Sequence, residues 1–156
     1  MATRGGKLKI LFLHGLESKP GGAKVKLLES LGHKVINPAL PKDSWSGSIR
    51  IASDCMLDKP DIVIGSSRGG ALAMHVSTFT TRLILIAPAW DKFNVPPVIP
   101  YGTQVLHSLE DDVVEYAHST KLLSRNDGVQ LIEGGGSHRM NNQEALDMLV
   151  SALDRV

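Results

Sequence analysis

The chain has little of what marks several functional classes. Its 156 residues include one cysteine, Cys55, so no disulfide can close within it and no cluster of thiolates can hold a metal. Cys55 itself reads as a buried helix residue, a small apolar side chain. Aromatic residues make up 4%, too few for a platform on which nucleic-acid bases stack. The formal net charge is +1 and no long run of one sign occurs, which argues against a protein held to nucleic acid by a basic stripe. No apolar run approaches the length that crosses a bilayer. The first residues, Met1 to Gly6, lack the apolar stretch of a secretory leader. These absences predict a soluble cytoplasmic protein with no membrane span and no nucleic-acid partner. Hydrophobic residues at 42% and charged residues at 21% match globular norms and speak against disorder. No repeat or linker divides the chain, so one domain over residues 1–156 is expected.

What is present is an alternation of short apolar runs and amphipathic stretches. Strands are expected at Leu8–Leu13, His33–Ile36, Ile62–Ile64, Arg82–Ala87, Thr103–His107 and Val129–Ile132. Helices are expected at Ala23–Leu31, Ser44–Leu57, Gly70–Ser77, Tyr116–Arg125 and Gln143–Leu153. Val25, Leu27, Leu28 and Leu31 mark the buried side of the first helix, and Ile49, Ile51, Met56 and Leu57 anchor the second. Three prolines, Pro96, Pro97 and Pro100, make regular structure unexpected from Asp91 to Pro100. The alternation implies an α/β fold, a three-layer sandwich around a six-stranded, mostly parallel sheet with right-handed crossovers. In such sheets, sites form in the loops beyond the carboxyl ends of the strands.

Gly65-Ser66-Ser67-Arg68-Gly69 lies between the apolar run Ile62–Ile64 and the Ala-, Leu- and Met-rich Gly70–Val76. A serine on so tight a strand-to-helix turn has a strained backbone and an exposed hydroxyl. Side chains two residues before and after it would clash, and glycines at 65 and 69 remove them. The glycine spacing singles out Ser67 over Ser66. The following helix turns its amino end, with free N–H groups and partial positive charge, toward the same place. A plain flexible loop is the competing reading, and the other loops decide between them.

Three of those loops carry notable residues. His14-Gly15-Leu16 follows the first strand, Glu110-Asp111-Asp112 follows the fifth, and His138 follows the last, after Gly134, Gly135 and Gly136. A serine, an acid and a histidine thus emerge on one side of the sheet. A serine hydroxyl needs a base within hydrogen-bond reach, and the base needs a partner to hold its tautomer. Asp111, Asp112 and Glu110 compete for that partner's place, the remainder being a solvated turn that caps the Tyr116 helix. Among six histidines, His138 has flanking glycines that let its loop reach back. His14 reads as structural, His33 and His118 as surface residues, and His75 as a core or interface residue. His14, Asp111 and His138 lack a metal-type spacing such as H-x-x-x-H, and no metal is expected.

The Ser…Asp…His order, the G-x-S-x-G elbow, the His14-Gly15 pair and Asp111-x-x-Val114 together resemble the alpha/beta-hydrolase superfamily. The resemblance runs from Leu8 to about Leu153 and is nearest to small lidless serine esterases and acyl-protein-thioesterase-like enzymes. It implies a minimal version of that fold, without the first two strands and without a lid domain. By the same resemblance Ser67 is the nucleophile, His138 the base and Asp111 the acid, favoured by its spacing to Val114. His107-x-x-x-Asp111-x-x-Val114 is similar to the family's H-G-x-x-D-x-x-V, with Ser108 in place of glycine. The backbone N–H groups of Leu16 and Arg68 would form the oxyanion hole. The implied activity is hydrolysis of a small acyl ester without a cofactor. A thioesterase or peptidase on the same triad, and a catalytically silent protein-binding domain, are the alternatives. A nucleotide-binding domain ranks last, because Gly65–Gly70 has neither G-x-G-x-x-G nor a P-loop lysine. His14, Trp90 and Phe93 are candidates for the substrate pocket. Trp90, Phe93 and Val95 wall the pocket or form a flap, or else belong to a rigid surface loop. Trp45 packs or lines a pocket, with packing favoured. The Arg68 side chain is read as a surface residue or as an attractor for an anionic substrate group.

Overall fold

The computed structural model describes residues 6–155. In chain order it runs β1 (Lys9–Leu13), α1 (Ala23–Ser30), β2 (Lys34–Ile36), α2 (Trp45–Met56), β3 (Ile62–Ser66), α3 (Arg68–Val76) and β4 (Leu83–Ile86). A single 3-10 turn (Trp90–Phe93) follows, then β5 (Gln104–His107), α4 (Tyr116–Arg125), β6 (Gln130–Glu133) and α5 (Gln143–Asp154). The strands form one sheet in the order β2-β1-β3-β4-β5-β6. Every pairing is parallel, so the sheet is purely rather than mostly parallel.

Alternation within each strand builds two cores. Leu11, Leu13, Val63, Leu83, Leu85 and Val105 face α2, α3 and α4. Ile10, Phe12, Ile62, Ile64, Ile84 and Ile86 face α1 and α5. A strand covered on both faces needs apolar residues at every position, which is why these strands read as continuous hydrophobic runs. Each such Leu or Ile, withdrawn fully from water, contributes ~1.5–3 kcal/mol. The layers are therefore helix, sheet, helix.

Strand order places the site. β1 is followed leftward by β2, whereas β3 lies to its other side, with Leu13 beside Gly65. The chain leaving β1 passes to α1 on one face, and the chain leaving β3 passes to α3 on the other. A crevice opens where those two paths part. No helical lid intervenes: between β4 and β5 there is only the 3-10 turn. No helix among the described residues is long and apolar enough to cross a membrane.

Several element-level expectations shift. The third helix begins at Arg68, directly after Ser67, instead of Gly70. The Asp91–Pro100 stretch is not wholly irregular, because its start completes the 3-10 turn. α1 ends at Ser30, leaving Leu31 as an exposed C-cap, while Lys24 joins Val25 and Leu28 on the buried side. Leu57 caps α2 and is 79% exposed rather than an anchor. Cys55 is half-buried, and His75 is exposed on α3, edge-on to Trp45.

Candidate active site

Ser67 sits between β3 and α3 with φ 56° and ψ −115°, a region that costs a non-glycine residue about 1–3 kcal/mol. The surroundings hold it there. Its N–H donates to the Ile86 carbonyl at 2.9 Å, and its own carbonyl accepts from Gly70, Ala71 and Ala89. A Cβ at position 65 would collide with the Gly69 carbonyl, and one at 69 with the Leu13 carbonyl. Backbone cannot yield as a side chain can, so the two glycines are what let β1, β3 and α3 meet this closely. The first N–H groups of α3 have no partner within the helix and lie beside the serine.

The glycine loop after β6 delivers His138. Gly134, Gly135 and Gly136 have φ of 152°, 95° and 73°, a succession that side chains would oppose. Glu144 accepts the Gly135 N–H at 2.6 Å, and Asn142 caps α5 through the Ala145 N–H, so the loop is tied at its far end. His138 Nε2 then lies 2.9 Å from Ser67 Oγ, and His138 Nδ1 lies 2.7 Å from Asp111 Oδ2.

The tautomers follow from the partners. Burial pushes the Asp111 carboxyl up, but hydrogen bonds from His138, Val114 and Val113 outweigh it and hold the group below its ordinary value. An ionised carboxylate only accepts. In the neutral imidazole His138 Nδ1 therefore carries the proton, and the lone pair of Nε2 faces the Ser67 hydroxyl. Oδ1 of Asp111 accepts the Val113 and Val114 N–H groups, each at 2.8 Å.

A second histidine holds Asp111. Completely buried His107 places Nε2 3.1 Å from Asp111 Oδ2 and 3.0 Å from the Val114 carbonyl. Both partners accept, so Nε2 is protonated, and Nδ1 accepts from Ser119 Oγ at 2.7 Å. Burial lowers the His107 pKa against the opposing pull of Asp111, which keeps the ring neutral. The sequence offered His107 only as part of a motif. Its spacing of four to Asp111 was the signal, and Ser119, twelve residues on, could not be linked to it before α4 was placed.

Glu110 and Asp112, the competing acids, are exposed and make no bond to His138. Asp111 has its carboxylate wholly buried. On the β1 side, buried His14 accepts the Leu40 N–H at Nε2, so Nδ1 donates to the Gly15 carbonyl at 2.8 Å. Both ring nitrogens are thereby occupied and neither is free for a metal. Ser18 N–H donates to the same carbonyl. In a trans peptide the next N–H points the opposite way, so these two bonds set the direction of the Leu16 N–H.

Around Ser67 and His138 lies a cavity of about 550 Å³. His14, Leu16 and Phe93 line it, together with Val113 and the first turn of α1. Trp90 does not: it is buried, and its Nε1 donates to the His118 carbonyl at 3.2 Å. The indole is needed beneath the 3-10 turn, where its one donor finds a partner, so its assignment to the pocket is corrected. Arg68 is likewise not a surface residue. It is 3% exposed, its guanidinium donates to the Pro41 and Ser44 carbonyls, and it lies 5.5 Å from the Trp45 ring and 5.6 Å from Phe93. Trp45 and Phe93 stack at 4.7 Å, so Phe93 is both cavity wall and part of this packed cluster. Sequence reasoning missed Lys24, which is buried in the cavity wall.

The strand order, the strained serine after β3 and the histidine loop after β6 are those of the alpha/beta-hydrolase fold, and the chain has that fold. Its likeness to solved structures is of the same kind. Mouse alpha/beta hydrolase domain-containing protein 10 matches with a TM-score of 0.73 at 19% identity, over 97% of this chain and 90% of that one. A CIB-like hydrolase from Thermoplasma acidophilum matches with 0.73 at 21% identity, over 100% and 90%. An esterase domain from Rhodothermus marinus matches with 0.72 at 13% identity, over 94% and 84%. No protein-family model and no curated protein sequence matches the chain.

Proposed function

We propose that the protein is a serine hydrolase that cleaves a small acyl ester. The observation that carries this reading is the unbroken hydrogen-bonded line from Ser67 Oγ through His138 to Asp111, with the imidazole in the tautomer that accepts the serine proton. As Ser67 Oγ attacks the acyl carbonyl, His138 Nε2 takes its proton and Asp111 steadies the imidazolium. The carbonyl oxygen becomes an oxyanion, received by the N–H groups of Leu16 and Arg68. The tetrahedral intermediate collapses, and the leaving alkoxide departs with the proton from His138. Water, deprotonated by the same nitrogen, then releases the acid and restores Ser67. No step calls for a cofactor.

Thioesters and peptides could enter the same cycle, because the triad does not see which atom leaves. The open crevice favours small or surface-presented acyl groups. The test is hydrolysis of p-nitrophenyl esters from acetate to octanoate by wild type and Ser67→Ala. The expected result is turnover by wild type and a loss of about 10⁴-fold or more in the variant. Absence of turnover, together with failure of a fluorophosphonate probe to label Ser67, would overturn the reading in favour of a silent binding domain.

A further inference from the structure

The cavity wall built by α1 and the His138 loop is cationic, and one of its cations is buried. Lys24 lies in the first turn of α1 and is 8% exposed. Its ammonium donates to the Arg139 carbonyl at 2.8 Å and to Asn141 Oδ1 at 2.7 Å. Both acceptors are neutral, and an ammonium has three protons to give. Among the described residues the ion pairs are Lys42 with Glu17 and three that involve histidines; none includes Lys24. A buried charge without a counter-ion is costly. Burial, and then the Arg139 guanidinium, push its pKa down to about 8, which leaves it protonated at neutral pH.

The surroundings add to the positive potential. α1 has no acidic residue in its first turn, and its N-cap, Gly22, offers no side chain to the free N–H groups. Those N–H groups and a lysine thus share one place, the arrangement that anions favour and cations do not. Lys19 and Arg139, both exposed, line the same wall. Of the two acids at the cavity, Glu17 is paired with Lys42 at 2.7 Å and Asp112 is exposed in the loop after β5. A chain of net charge +1 has concentrated cations in the cavity that Ser67 also lines. A cleft with walls of low dielectric focuses such a field.

We propose that this wall is an anion subsite, so that the substrate is an ester that carries a carboxylate besides the bond to be cleaved. This rests on the serine-hydrolase reading and names its substrate class. The carboxylate accepts a hydrogen bond from the third N–H of Lys24 and supplies the counter-ion the fold leaves out.

The test uses matched pairs of esters. Mono-p-nitrophenyl glutarate and its neutral methyl ester place the charge on the acyl side. 4-Carboxyphenyl butyrate and 4-carbamoylphenyl butyrate place it on the leaving side. For wild type at low salt, the charged member of one pair is expected to exceed its neutral twin in kcat/KM by about tenfold or more, chiefly through KM. Added salt shrinks the ratio. Lys24→Met brings the ratio toward one and Lys24→Arg retains it. Because the readout is a ratio, any general damage from loosening the His138 loop divides out. Arg139→Gln, at an exposed position, lowers the ratio by a smaller factor and serves if Lys24→Met does not fold. A wild-type ratio of one or less in both pairs overturns the proposal, as does a ratio untouched by both substitutions; Lys24 is then a tether alone. If no ester is cleaved and Ser67 resists the fluorophosphonate, the hydrolase reading has failed separately. Free glutarate then decides the subsite: a rise in wild-type Tm that Lys24→Met lacks supports it, and no rise overturns it.

Discussion

Asp111→Asn changes little in shape and reverses a hydrogen-bond pattern. The carboxylate receives four donors: Val113 and Val114 N–H on Oδ1, His138 and His107 on Oδ2. An asparagine has one accepting oxygen and one NH₂ group. With its oxygen toward Val113 and Val114, the NH₂ faces the two imidazoles. His138 must then accept at Nδ1, which moves its proton to Nε2 and removes the base that the proposed mechanism requires. With the amide flipped, two backbone N–H groups face two amide protons across 2.8 Å, so the turn resists that alternative. A triad in the wrong tautomer loses about 10⁴ in kcat, equivalent to about 5.4 kcal/mol of transition-state stabilisation. The assay is kcat on p-nitrophenyl butyrate, with near-ultraviolet circular dichroism to verify packing and Glu110→Gln as the exposed, unbonded control. A kcat for Asp111→Asn within tenfold of wild type would refute the argument, because His138 would then be oriented by something else.

Two further outcomes follow from the same geometry. Gly69→Ala is expected to destabilise by the upper end of ~1–3 kcal/mol or more, because its methyl meets the Leu13 backbone. Gly22→Ala, with nothing within 4 Å, should change urea midpoints little; equal effects at the two sites would contradict the close approach at the elbow. The second concerns pH. The folded-state pKa of His107 is lowered, mainly by burial, so below about 6.5 the unfolded chain takes up a proton that the folded one resists. His107 therefore makes stability fall with falling pH from about 6.5, with a slope of at most about 1.4 kcal/mol per pH unit. His107→Asn should flatten that part of the urea-derived profile relative to wild type, and an unchanged slope would place the proton uptake elsewhere.

The elbow was legible because its cause is local: a serine flanked by glycines at two-residue spacing, between a buried strand and a small-residue helix, leaves few other conformations. The inner strands β1, β3 and β4 were legible because burial on both faces writes itself as apolar runs. What stayed hidden depended on partners far along the chain. Arg68 looked like a surface charge, and its burial rests on the Pro41 and Ser44 carbonyls, 27 and 24 residues away. Trp90 looked like a pocket wall until His118 was placed to accept its N–H. Lys24 fell on the apolar face of a helix, where a lysine reads as noise unless Arg139 and Asn141 are known to wait opposite. Leu31 and Leu57 followed the helical period correctly but lay one residue past the last turn, where periodicity no longer says which way a side chain points.

The bond between Ser67 and His138 spans 71 residues, and that between Lys24 and Asn141 spans 117. Synthesis proceeds from the amino end at about 5–20 residues per second. The strand and helix that bend Ser67 into its conformation leave the ribosome well before the loop that carries His138, its proposed base. During that interval the nascent chain holds an unactivated alcohol, as inert toward neighbouring acyl groups as any other serine. Under the proposed mechanism reactivity arrives only when β6 and α5 dock, so a stretch translated after the elbow is also the switch that arms the chemistry.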